Sequence, residues 1–190
     1  MPATRQHLHT RSVEYRGYKR SDGFWDIEAE MRDIRHYETF SPQKGTMPPG
    51  APIHHIALTL TVDDHLSVQS ISAQMRDTPF PICLEVETKL QVMIGANLSR
   101  GWRRSIDDRL GGTRNCTHLR ELLFNMATVA FQTIPIHRSQ MERAQGNPPS
   151  STTEPPYFLG KCHAWRFDGP VVAWLYPQFH APSPRDSQGD

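Results

Sequence analysis

Within residues 24–33 apolar and charged side chains alternate from Trp25 to Arg32. Trp25, Ile27, Ala29 and Met31 fall on one face, Asp26, Glu28, Glu30 and Arg32 on the other. A strict period of two is the mark of a β-strand with one buried face. Val13, Tyr15 and Gly17 alternate with charged neighbours just upstream, and Ser21-Asp22-Gly23 supplies a turn, so the two runs are predicted to form a hairpin. After a Pro- and Gly-rich loop over residues 41–52, a third strand is predicted with His54, Ile56, Leu58, Leu60 and Val62 on one face and His55, Ala57, Thr59 and Thr61 on the other. A fourth, over residues 66–75, is joined to it by Asp63-Asp64-His65. The first half reads as an antiparallel sheet.

The period then changes. Val86, Leu90, Met93 and Ile94 follow helical spacing, as do Trp102, Ile106 and Leu110 before a Gly111-Gly112 stop. Leu119, Leu122, Leu123, Met126, Ala127 and Ala130 form the strongest stripe, suited to a helix lying across a sheet, with Thr117 expected to cap it. A final hairpin is predicted from residues 162–168 and 171–175 around Asp168-Gly169. The pattern predicts an α+β fold: an antiparallel sheet of four or more strands with two or three helices on one face. The expected organisation is a flexible stretch over 1–11, one domain over 12–180 with an exposed loop at 145–156, and a flexible tail over 181–190.

Charge narrows the function. The net charge is +1, with no basic helix or stripe, so no nucleic-acid partner is expected. No apolar run reaches membrane-span length and no signal peptide is legible; with three cysteines, Cys83, Cys116 and Cys162, at wide spacing, the expected setting is the cytoplasm, with no membrane partner. A homodimer is expected, symmetric dimers being the commonest oligomer.

The candidate chemistry centres on Leu110-Gly-Gly-Thr-Arg-Asn-Cys-Thr-His-Leu119, where Cys116 and His118 stand at a turn entering the long helix. A helix N-terminus favours a thiolate and a neutral imidazole. His118 is the first candidate base and His55 the second, with Asp26 as orienting carboxylate; Asp26, Glu28, His55 and Thr59 share the polar sheet face. That face is expected to form one pocket wall and the Cys-Thr-His turn the other. Arg103 and Arg104 could clamp a carboxylate or phenolate, although Asp107 and Asp108 stand at ion-pairing distance along the helix. Tyr18 and Trp102, with Tyr15 and Trp25, offer aromatic walls. Cys162 and His163 lack structural zinc spacing, and a zinc ion would need a distant fourth ligand such as His55, so no metal is expected. No P-loop or GxGxxG fingerprint points to a nucleotide.

The segments Arg-Gly-Tyr-Lys-Arg-Ser-Asp-Gly-Phe-Trp-Asp-Ile-Glu (16–28), Pro-Ile-His-His (52–55), Leu-Thr-Val-Asp-Asp (60–64), Gly-Trp-Arg-Arg (101–104), Leu-Gly-Gly-x-x-x-Cys-Thr-His-Leu-x-Glu-Leu (110–122) and Cys-His-Ala-Trp (162–165) together resemble the bacterial DUF2889 family. That resemblance implies a place in the catabolism of lignin-derived aromatics, as a lyase releasing formaldehyde from phenylcoumaran-type dimers to give a stilbene. It implies a small aromatic substrate, expected to carry a carboxylate, and no redox cofactor. One departure stands out: the family pattern more often has an acid where this chain has His55. Two other classes remain open, a non-enzymatic metal- or thiol-binding accessory protein using Cys116, His118 and Cys162, and a small-molecule binding subunit.

Overall fold

The computed structural model describes residues 2–146, 154–156 and 158–181. The chain divides into two compact units, Met1–Gln140 and Met141–Asp190.

In the first unit β1 (His9–Lys19), β2 (Trp25–Arg35), β5 (Pro52–Val62) and β6 (Val68–Asp77) form an antiparallel sheet in that spatial order. A short ribbon of β3 (Thr39–Ser41) and β4 (Gly45–Met47) rises within the segment read from sequence as plain loop. The strand expected to begin after residue 11 begins at His9, because β2 continues to Arg35 and offers it a partner. Likewise β6 starts at Val68 rather than Leu66, which instead closes the preceding turn with a left-handed φ of 65°.

Alternation decides which face is buried. Trp25, Ile27, Ala29 and Met31 of β2 and Ile56, Leu58, Leu60 and Val62 of β5 are all buried, with Val68, Ile71 and Met75 of β6 completing the layer. The same core takes Trp102, Ile106 and Leu110 from α1 (Trp102–Leu110) and Leu119, Leu122, Leu123, Met126, Ala127, Ala130 and Ile134 from α2 (Thr117–Ala144). The expected stripe of the long helix is therefore its buried face. Two 3₁₀ turns, Pro81–Val86 and Thr88–Met93, replace the helix expected around residues 86–94; Leu90 and Met93 are buried as the spacing requires, whereas Ile94 is exposed. Among the described residues no helix is long and apolar enough to cross a membrane.

The approach of α2 to β1 depends on Gly17. A Cβ there would run into the hydroxyl of Thr133 and stand 2.8 Å from its methyl group. Gly17→Ala is expected to destabilise the fold by roughly 1–3 kcal/mol, the usual cost of overpacking. Adding Thr133→Ala should recover part of that loss in urea unfolding; strict additivity of the two substitutions would refute the contact.

In the second unit the expected terminal hairpin is absent. Residues 162–168 form turns, with Gly160 N–H donating to the Trp165 carbonyl, and α3 (Pro170–Leu175) is helical. Pro170 causes the difference: it cannot donate to a strand ladder, and its fixed φ suits the first turn of a helix. The expected loop over 145–156 and tail over 181–190 fall mostly outside the described residues.

Candidate functional site

The alternation that buries β2 does not stop at Met31. It places Asp33 on the same inward face, where the carboxylate is 2% exposed. A carboxylate so placed must be paired. The register supplies the partners: Arg11 of β1 and His54 of β5 stand opposite Asp33 on either side. Arg11 Nε and Nη2 donate to the two Asp33 oxygens at 2.8 and 2.9 Å, and His54 Nδ1 lies 3.0 Å from Oδ2. His9 Nε2 adds a contact to Oδ1 at 3.2 Å, and Arg11 Nη1 reaches Glu121 of α2 at 3.1 Å. Every acceptor position of Asp33 faces a donor.

Above this row stands the start of α2. Arg120 N–H donates to the Cys116 carbonyl, so Cys116 holds the cap position expected for Thr117, while Asn115 Oδ1 accepts from Cys116 N–H at 2.7 Å. The Cys116 sulfur lies 3.6 Å from His118 Nδ1, and the His118 ring meets the His54 ring with centroids 4.2 Å apart. Asp33, His54, His118 and Cys116 thus form one continuous cluster at one end of the sheet.

The electrostatics of the cluster diverge. Burial lowers the pKa of His54, and the neighbouring charge of His118 adds to this, outweighing the pull of Asp33. The bond to Cys116 raises the pKa of His118 against the effect of burial. Burial pushes the Cys116 thiol up, but the His118 bond and the backbone N–H groups of Leu119 and His118 bring it below its ordinary value. For Asp33 burial also acts upward, and the Arg11 fork overcomes it, leaving the carboxyl below its usual range. The two rings in contact are therefore displaced in opposite directions, His54 toward the neutral imidazole and His118 toward the imidazolium.

Ligand atoms of Asp33, His54 and His118 lie within 4.8 Å of one another, which is metal-like spacing. The donor set fits a metal poorly, because Arg11 holds both Asp33 oxygens and an ion would have to displace that guanidinium.

The residues singled out from sequence distribute differently. His118 belongs to the cluster. His55 does not: adjacent strand residues point to opposite faces, so while His54 faces α2, His55 lies on the open face with Nε2 2.7 Å from Glu30 Oε1 and Arg32 and Arg76 crowding the same nitrogen. Asp26 shares that open face, where Thr61 Oγ1 donates to it at 2.7 Å and Arg20 pairs with it at 3.3 Å. The sheet separates both from His118, so the expected two-walled pocket does not form. Arg104 pairs with Asp108 and Arg103 stacks over Phe124. Trp102 is buried and its indole N–H donates to the Leu123 carbonyl, a packing role. Tyr18 is exposed, paired in register with Asp26. Cys162 and His163 lie in the second unit, where Cys162 is exposed.

No curated protein and no solved structure matches the chain. A family model described as protein of unknown function, DUF2889, matches residues 9–132, the stretch that carries the sheet, α1 and the His118 end of α2, and the chain belongs to that family.

Proposed function

We propose that the chain is an acid–base lyase acting on a small aromatic acid, and that its reaction is release of formaldehyde from a phenylcoumaran-type dimer. The observation that carries the acid–base reading is the contact between His54 and His118, two imidazoles whose pKa values are displaced in opposite directions. Pairs pushed apart in this way divide into base and acid. The substrate class comes from the family resemblance.

The reaction needs those two roles. Neutral His54, its Nδ1 proton held by Asp33, accepts the hydroxymethyl O–H proton at Nε2. The oxygen electron pair becomes the C=O of formaldehyde as the bond between the hydroxymethyl carbon and the ring carbon breaks. That bond's electrons form the stilbene double bond and expel the ether oxygen as phenolate. His118, held protonated by Cys116, gives the phenolate a proton. The sum is one dimer to one stilbene and one formaldehyde, with no net oxidation. His54 then gives its proton to solvent and His118 takes one up from solvent, which restores the starting state.

Incubating the full chain with a phenylcoumaran-type carboxylic acid should yield stilbene absorbance and formaldehyde in equal amounts; folded protein that yields neither across a set of such dimers would refute the reading. The pH profile follows from the two shifts. Activity should rise as His54 loses its proton below the ordinary imidazole pKa of about 6.5, and fall as His118 loses its proton above that value. Cys116→Ser removes the main cause of the His118 shift, so the alkaline limb of kcat/KM should move to lower pH while the acid limb stays. An unmoved alkaline limb would assign the acid to another group.

A further inference from the structure

Beyond Asp33, β2 runs two more residues to Arg35, on the same face and about 7 Å further along the strand. Arg35 lines a groove of about 130 Å³ with Phe40, Met47, Ile53, Pro79 and Phe80. The ribbon of β3 and β4 forms one side and the chain leaving β6 the other. Its aromatic walls are open to solvent, Phe40 being 74% and Phe80 48% exposed. Concave apolar surface with a few polar groups is the usual form of a small-molecule site.

The geometry points to this groove as the binding site for one aromatic ring and its carboxylate, with Arg35 as the anion partner. Three observations carry it. Among the described residues Arg35 has no carboxylate partner, whereas the other cation of the groove, Lys44, is held by Asp77 at 3.2 Å. A guanidinium that shares a groove with two phenyl rings complements a planar aromatic anion: the rings take the ring and the fork takes the carboxylate oxygens. The volume is close to the roughly 150 Å³ of an apolar cavity that holds benzene, so the groove admits one ring and leaves the rest of a two-ring molecule outside.

The groove lies at the same end of the sheet as the histidines, with Ile53 directly before His54 in β5. The groove therefore deepens the acid–base reading by giving its substrate a carboxylate anchor, but binding and turnover can fail separately. This assignment moves the anion clamp from Arg103 and Arg104 to Arg35.

The test measures calorimetric affinity of the full chain for 4-hydroxycinnamate and for its neutral counterpart, 4-hydroxycinnamyl alcohol. The acid should bind at least about tenfold more tightly than the alcohol, the scale of a charge-assisted hydrogen bond. Arg35→Gln should erase that preference and Arg35→Lys should restore part of it. Phe40→Ala, at an exposed position, should weaken both ligands, and Arg104→Gln, whose side chain pairs with Asp108 outside the groove, should leave both affinities unchanged. Equal binding of acid and alcohol, or an Arg35→Gln protein that keeps the preference, would overturn the assignment. Acid-selective binding without formaldehyde release would refute the lyase reaction and leave the groove standing.

Discussion

His54→Gln is expected to slow formaldehyde release by roughly 10²–10⁴-fold, the usual contribution of a positioned general base. The melting temperature should stay near wild type, because the side chain is partly exposed and the Gln amide can still donate to Asp33. The loss belongs in kcat: binding is assigned to Arg35 and the phenyl walls, whereas proton removal occurs only on the way to the transition state. His118→Gln should also lower kcat and should abolish the alkaline limb. The double variant should be little worse than the poorer single one, since base and acid act in the same bond-breaking step. A His54→Gln protein within threefold of the wild-type rate would show that another group takes the proton.

How far the sequence leads is seen in the strands. Period two in β2 and β5 and the helical stripe of α2 identified the sheet, its buried face and the long helix, because burial of apolar side chains dominates in those segments. Pro170 and the 3₁₀ turns before α1 went unread, since local backbone restrictions there override apolar spacing. Half of the candidate site was legible: the Cys-Thr-His turn stands out by residue type. The other half lies on the apolar face, where alternation points to packing rather than to chemistry. Carrying the alternation two residues past Met31 puts Asp33 on the apolar face, and His54 opens the apolar face of its own strand. An aspartate and a histidine on otherwise apolar faces cannot be left unpaired, so that mismatch was the available signal. Arg11 and Arg35 carried no comparable signal, because an arginine near the end of a strand looks like any solvated charge.

Asp33 gives the second large effect, and two substitutions separate its roles. Asp33→Ala deprives Arg11 and His54 of their acceptor and is expected to cost about 3 kcal/mol, the low end for breaking a buried ion pair. The low end applies because the Arg11 side chain is 37% exposed and still bonds Glu121. The melting temperature should fall by roughly 10 °C. The sign of the pH dependence follows from the lowered carboxyl pKa: the stabilisation is present above the ordinary value of about 4 and disappears as pH falls through the lower folded-state value. The difference between wild type and Asp33→Ala should therefore be full at pH 7 and shrink below pH 4; a difference that grows in acid would contradict the pairing. Asp33→Asn keeps the shape but replaces one acceptor with a donor. With that amide turned toward His54, the ring must keep its proton on Nε2, and the base is lost although the fold survives; wrong-tautomer effects of this kind reach about 10⁴-fold in rate. With the amide turned toward Arg11, the unpaired guanidinium lies beside His54. In both cases the carboxylate that raised the His54 pKa is gone, so the residual activity should show its acid limb at lower pH. A carboxylate that only held strands together would change stability and leave that limb in place.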